Sequence, residues 1–145
     1  AGETARPTAE AAGELPCGNG EIILIVDDER ALVALAEETL AELGYEPVGF
    51  DSSDAALQAF RADPQRFDVV LTDEAMPELT GTALAREIRQ LRPSIPIILM
   101  SGHGGAQLAR QASAIGVNDV LRKPLQRRDL AESLARIKHS LVAAL

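Results

Sequence analysis

The sequence contains one cysteine, no tryptophan, one tyrosine and three phenylalanines in 145 residues, and it is short of positive charge. Each shortage removes a class of protein. The lone Cys17, between Pro16 and Gly18, has no partner for an internal disulfide, so a cystine-stapled scaffold is excluded and a reducing compartment fits. With aromatics at 3%, the core must be built from Ala, Leu, Ile and Val, which favours helices laid on a sheet. Fourteen Lys and Arg against 22 Asp and Glu leave a net charge of -8, which repels nucleic acid and anionic membrane alike. Neither direct DNA binding nor membrane contact is expected of this segment. No apolar run approaches the roughly 18 residues of a membrane span, and the opening AGETARPTAE has neither the basic nor the apolar region of a leader. No Gly-rich fingerprint follows the first apolar run, so P-loop and dinucleotide-binding readings fail.

What is present suits one domain with a full core. Residues 1–20 are rich in Ala, Gly, Glu and Pro and end in the breaker cluster LPCGNG, which reads as a flexible linker or tail before a domain at 21–145. The chain opens on Ala1, as a processed chain or a segment of a longer one would. From Glu21 onward, short β-branched runs alternate with longer amphipathic stretches in five units, the pattern of a parallel α/β sheet. Strands are expected at 22–26, 46–50, 67–72, 97–100 and 119–122, and helices at 31–43, 54–62, 81–91, 106–115 and from 126 onward. In the first helix Leu32, Leu35, Leu40 and Leu43 should face the sheet, with Gly44 closing it. These units use the whole length, so no effector domain is expected within it.

In parallel sheets, ligands bind beyond the carboxyl ends of the strands, where strand order reverses. There the sequence turns polar. Asp27 and Asp28 end the first strand, Asp73 the third, Ser101 the fourth, and Lys123 with Pro124 the fifth. Three carboxylates gathered there repel by about 4 kcal/mol per pair at 4 Å and an effective dielectric near 20. A shared proton or a hard divalent cation would offset that. Magnesium suits the second case, since it takes a few carboxylates and a carbonyl while leaving positions open for phosphate oxygens. Asp73 is then suited to attack a phosphoryl group as a carboxylate nucleophile, with the Lys123 ammonium and the Ser101 hydroxyl holding phosphoryl oxygens.

Over Glu21 to about Leu141 the chain resembles the receiver domains of bacterial two-component response regulators, the CheY-like family. The family's acidic pair resembles Asp27 and Asp28, its phosphoacceptor Asp73 in LTDEAMPELTG, its hydroxyl residue Ser101 in LMSG, and its lysine Lys123 in LRKP. The resemblance implies a flavodoxin-like (βα)5 three-layer sandwich with a parallel sheet of order 2-1-3-4-5. It also implies Mg2+ bound by Asp28, Asp73 and the backbone carbonyl of Ala75, with Asp27 helping through water, and Mn2+ as a substitute. The implied partner is a histidine kinase or histidine phosphotransfer domain in the cytoplasm, and the implied chemistry is phosphoryl acceptance followed by slow autodephosphorylation. LPCGNGEIILIVDDE resembles the junction between the ATP-binding domain of a hybrid histidine kinase, itself often membrane-attached, and its C-terminal receiver. A stand-alone regulator or a phosphate sink is the alternative parentage.

One position departs from the family. Receivers usually carry an aromatic residue three positions before the lysine, and here it is Val120. Valine is stiff at χ1, so coupling from phosphate at Ser101 to the face of the fourth helix, fifth strand and fifth helix is expected to be muted. A dimer, by resemblance, would use that same face. Other residues have plainer readings: Glu29 as a charge near a helix start, His103 as an exposed loop residue, Arg122, Arg127 and Arg128 as a solvated helix entry, and Met76 and Pro77 as shapers of their loop. The rival enzyme is a magnesium-dependent phosphohydrolase of the haloacid dehalogenase type, which also uses an Asp nucleophile. It wants a second Asp where this chain has Ala75.

Overall fold

The computed structural model describes residues 15–102 and 105–144. Its elements alternate as β1 (Ile22–Val26), α1 (Arg30–Glu42), β2 (Glu46–Phe50), α2 (Ser53–Ala62), β3 (Val69–Asp73), α3 (Gly81–Leu91), β4 (Ile97–Ser101), α4 (Gly105–Ile115), β5 (Asp119–Arg122) and α5 (Arg127–Ala144). All five strands pair in parallel in the order β2-β1-β3-β4-β5, the flavodoxin-like arrangement. The reversal of direction between β1 and β3 opens the crevice that concerns function.

The apolar runs explain the layers. β1 and β3 are buried along nearly their whole length because helices cover both faces of the sheet. One face packs Ile23, Ile25, Leu71 and Met100 against α1 and α5; the other packs Leu24, Val26, Val70 and Ile97 against α2 and α3. Phe60 of α2 stacks on Phe67 at 5.9 Å between centroids, so two of the three phenylalanines serve one corner of the core. Each such buried ring contributes roughly 2–3 kcal/mol of transfer free energy.

Gly44 closes the first helix as expected, and side chains secure other helix ends. Ser52 caps α2 by accepting the Ala55 N–H at 3.2 Å, and Thr80 caps α3 by accepting the Ala83 N–H at 3.2 Å. Gly44 ends α1 at φ +95°, a conformation that L side chains rarely adopt, and a Cβ there would also lie 2.7 Å from the Gly18 carbonyl oxygen. At the far end of the sheet from the acids, Arg89 of α3 donates to the carbonyls of Ile95 and Gly116 and to Asn118 Oδ1. That residue ties one helix to the entries of β4 and β5.

Two expectations need correction. Leu35 does not face the sheet. The buried stripe of α1 is Val33, Ala36 and Leu40, continued by Leu43, and Leu35, about 100° round the helix from Ala36, is 57% exposed. Phe67 and Asp68 precede β3 rather than belong to it, and the strand instead runs on through Asp73. Glu29 does stand at the helix start, in the N-cap position of α1, and makes no side-chain capping bond there.

The reading of residues 1–14 as linker lies outside the described residues, as does His103. Residues 15–20 are docked: Gly18 N–H donates to the Leu43 carbonyl at 2.7 Å, Gly20 N–H to that of Gly44 at 2.8 Å, and Leu15 packs on the core face of α1 and α5. Lys138 of α5 reaches the Cys17 carbonyl at 3.3 Å and Glu21 at 3.3 Å, fastening this segment to the last helix.

Candidate functional site

Strand register brings the polar residues together. Val26 lies opposite Thr72 and Asp73 opposite Met100, so Asp27, Asp28 and Asp73 emerge side by side from the two central strands. Ser101 lies opposite Arg122, which sends the chain from β5 directly into Lys123, whose N–H donates to the Ser101 carbonyl at 2.9 Å. All five predicted positions meet at one rim.

Burial divides the acids. Asp27 is 2% exposed and Asp73 is 4% exposed, whereas Asp28 stands in solvent. One carboxylate oxygen from each lies within 4.8 Å of the others, the one cluster of three such groups among the described residues. The Lys123 ammonium reaches Asp27 Oδ2 at 3.1 Å and Asp73 Oδ1 at 3.4 Å, bridging the two buried acids. Asp27 Oδ1 accepts the Glu29 N–H at 3.0 Å, which fixes its carboxylate at the start of α1.

The electrostatics follow from this packing. Burial first and repulsion by Asp27 second raise the Asp73 carboxyl above its ordinary range, against the opposing pull of Lys123. For Lys123, burial would lower the ammonium, but its hydrogen bond and attraction to Asp27, with Asp73 in support, outweigh that and raise it. Lys123 is thus firmly cationic at neutral pH. One ammonium cannot neutralise three carboxylates. All-oxygen donors, two of them buried and one open to solvent, fit a small hard divalent cation such as Mg2+.

Beside the acids, Glu74, Ala75, Ser101, Gly102, Gln107, Leu108 and Gln111 line a cleft of about 300 Å³. A second groove of about 370 Å³ runs between α1 and the start of α5. Its floor is apolar, with Leu32, Leu35 and Leu125, and its end touches Asp27 and Lys123.

Two functional features escape sequence reasoning. Gly81 is required by packing, since a Cβ there would lie 2.4 Å from the Asp73 carbonyl oxygen and 2.5 Å from Leu99 Cδ1. Its position one residue after the Thr80 cap reads in sequence only as a helix start. Glu74, next to the central acid, turns away from it: its carboxylate accepts the Thr82 N–H at 2.8 Å and the Thr82 hydroxyl at 3.3 Å, capping α3. Two of the arginines around the start of α5 pair away from the site. Arg127 pairs with Glu42, and Arg128 lies 3.8 Å from Glu132.

Comparison with known proteins agrees with this geometry. Residues 23–135 match the response regulator receiver domain family. The response regulator protein FleR of Pseudomonas aeruginosa is 36% identical over 114 residues, covering 79% of this chain and 24% of FleR. The C4-dicarboxylate transport transcriptional regulatory protein DctD of Rhizobium meliloti is 35% identical over 114 residues, again 79% of this chain and 24% of the relative. This chain therefore spans about a quarter of the length of those curated relatives. A receiver domain structure from Clostridium thermocellum superposes with a TM-score of 0.81 at 30% identity, over 86% of this chain and 99% of that one. With the family match covering most of the chain and the acids, hydroxyl and lysine gathered at one sheet rim, the chain belongs to the response regulator receiver family of two-component signalling.

Proposed function

We propose that this receiver accepts a phosphoryl group from a phosphohistidine onto Asp73, with Mg2+ at Asp27, Asp28 and Asp73, and then hydrolyses it slowly. The observation that carries the reading is the Lys123 ammonium set between the two buried acids. A carboxylate oxygen of Asp73 attacks phosphorus, the P–N bond to the donor imidazole breaks, and its electron pair leaves with the imidazole, giving an acyl phosphate. The cation supplies Lewis-acid neutralisation of phosphoryl oxygens as their charge develops. Lys123 stands close enough to Asp73 to take a phosphoryl oxygen, and Ser101, on the wall of the adjoining cleft, offers its hydroxyl to another. Ala75 is small and exposed, so it leaves room for an attacking water without orienting it.

The donor must bring its imidazole to Asp73, and the apolar groove ending at Asp27 and Lys123 gives it a seat. Leu35, exposed on that groove, fits a helix of a histidine kinase or histidine phosphotransfer domain that presents its own apolar stripe. The parent chain has two supported forms. The junction-like LPCGNG favours a hybrid histidine kinase, and the long regulators among the relatives favour a receiver with an output domain. An antibody against this domain, applied to an extract of the source cells, gives the mass of the parent and separates them.

The chemistry is tested by incubating the chain with acetyl phosphate and Mg2+ and measuring intact mass. One phosphate is expected, absent in Asp73→Asn. A gain that survives Asp73→Asn sinks the assignment. Repeated turnover of a phosphomonoester would instead support the haloacid-dehalogenase-type reading.

A further inference from the structure

The loop from Glu74 to Thr80 follows the phosphoacceptor, and the structure holds it at three places. Glu74 caps α3 through Thr82, at 2.8 Å to the N–H. Met76 is buried among the residues packed between the sheet and helices α2 and α3. The third hold is a two-way clasp with the start of α2. Glu78 Oε1 accepts from the Ser52 hydroxyl at 2.8 Å, the Asp54 N–H at 3.2 Å and the Ser53 hydroxyl at 3.4 Å. In return, the Ser53 oxygen, on a side chain only 2% exposed, accepts the Leu79 N–H at 3.0 Å. Between these holds lies Ala75, whose side chain makes no such tie and stands in solvent.

The clasp has a chemical logic of its own. The first turn of α2 presents unpaired N–H groups and the positive end of the helix dipole, so a carboxylate there is favoured where an uncharged acceptor would be less so. Ser52 accepts the Ala55 N–H as the cap and so has only its proton to give, which it gives to Glu78. Ser53, being buried, must have partners, and the loop supplies both. The loop's far end is therefore fixed by groups 24 to 26 residues earlier in the chain, not by its own sequence.

We propose that Glu78 is a positioning residue for the acid site: by clasping the start of α2 it fixes the loop backbone at Ala75 and thereby sets the affinity of the site for its divalent cation. The proposal rests on the reading of Asp27, Asp28 and Asp73 as a cation site with the Ala75 carbonyl as a further ligand. Glu78 touches neither cation nor phosphate. It acts as an outer partner that orients a ligand, a role whose loss weakens metal binding by about tenfold or more in other sites. A loop that has lost the Glu78 hold, and keeps only the Leu79 N–H bond to Ser53 at this end, has more order to gain when the cation binds, so affinity falls while the saturated site remains intact.

The experiment is a calorimetric titration of Mg2+ into the full chain, as wild type, Glu78→Ala and Glu78→Gln, with thermal unfolding of each in EDTA as a control. Glu78→Ala is expected to weaken Mg2+ binding by roughly tenfold. Glu78→Gln keeps the acceptor oxygen, so it should recover most of that loss. Acetyl phosphate labelling at saturating Mg2+ should proceed at the wild-type rate in all three. Unchanged affinity in Glu78→Ala, or a Gln variant as weak as Ala, overturns the positioning role while leaving the cation site standing. A wild type that binds no Mg2+ removes the cation site itself, and this inference with it.

Discussion

Replacing Asp73 with Asn should stabilise the domain at neutral pH when no divalent cation is present, even though it destroys the phosphoacceptor. The direction follows from burial and from the distances. With carboxylate oxygens within 4.8 Å and an effective dielectric near 20, the repulsion by buried Asp27 is worth about 3.5 kcal/mol, and that by exposed Asp28 is smaller because solvent screens it. The attraction of Asp73 to Lys123 at 3.4 Å is worth about 5 kcal/mol on the same scale. Those pair terms nearly cancel, so the sign is set by burial of the Asp73 carboxylate, and removing its charge is favourable by about 1–2 kcal/mol. In a domain of this size that is a rise of roughly 3–6 °C in melting temperature. The pH dependence carries the sign. Burial raises the folded-state pKa of Asp73 above that of a free aspartate, so its protonated form is the one the fold prefers. The wild type then has its full stability below the unfolded value and loses some of it as pH rises through the raised folded value. The advantage of Asp73→Asn should accordingly be present at neutral pH and vanish as pH falls through that window. Thermal unfolding of both proteins in EDTA, from neutral pH down to about pH 3.5, reads it directly. Saturating Mg2+ should narrow or reverse the gap, because the wild type gains binding free energy that the variant has lost in part. A variant that melts below the wild type at neutral pH in EDTA would refute the claim that this site is charged beyond what Lys123 can balance.

Other consequences are open to simpler tests. Gly81→Ala must push its Cβ away from the Asp73 carbonyl, so it should lose about 1–3 kcal/mol in denaturant unfolding and slow acetyl phosphate labelling; wild-type values in both would show that the close approach is tolerated. Leu35→Asp should slow transfer from a phosphohistidine donor by about tenfold while leaving acetyl phosphate labelling unchanged, since small donors need no groove; equal slowing of both donors would deny the groove its docking role. Val120 packs with Leu99, Leu108 and Ala112 and is too small to swing between core and solvent, so beryllofluoride should produce only small chemical-shift changes across α4, β5 and α5. Large shifts centred there would overturn the expectation of muted output.

The legible part of the molecule is the part that local rules decide. The first, second and fifth strands were legible at their observed bounds and β4 all but for Ser101, because short apolar runs bounded by turn residues admit few other conformations, and the meeting of five polar residues at one rim was legible because polar residues at strand ends are exceptional in such a sheet. Leu35 was misplaced for a reason internal to the helix. Its apolar residues outnumber one face, so a choice among them depends on whether α5 and its entry loop leave a groove beside α1, which spacing within α1 does not encode. The docking of Leu15–Gly20 was equally invisible, since the breaker residues that mark a linker are also those that pass closely over Leu43 and Gly44. Glu78 is the extreme case: its partners Ser52 and Asp54 are set by the packing of α2 against the loop, and nothing near Glu78 in sequence distinguishes it from an ordinary solvated acid.

The charge count at the site explains why cation and phosphate go together. Three carboxylates and the Lys123 ammonium give a formal charge of three minus against one plus, a net of two negative. A divalent cation cancels that. Turning Asp73 from a carboxylate into an acyl phosphate exchanges about one negative charge for about two, so the phosphorylated site with its cation carries about one negative charge, less than the resting site without it. Without the cation the same product would carry about three, next to an Asp27 that is buried and cannot shed its share of the repulsion into water. Phosphoryl acceptance should therefore require the cation, and chelation after labelling should slow hydrolysis of the acyl phosphate, because the same phosphoryl oxygens must be neutralised when water attacks. The acid pair that opens α1 has no need of a direct part in bond-making. Its role is to make the third acid, Asp73, able to bear more negative charge than Lys123 alone could balance.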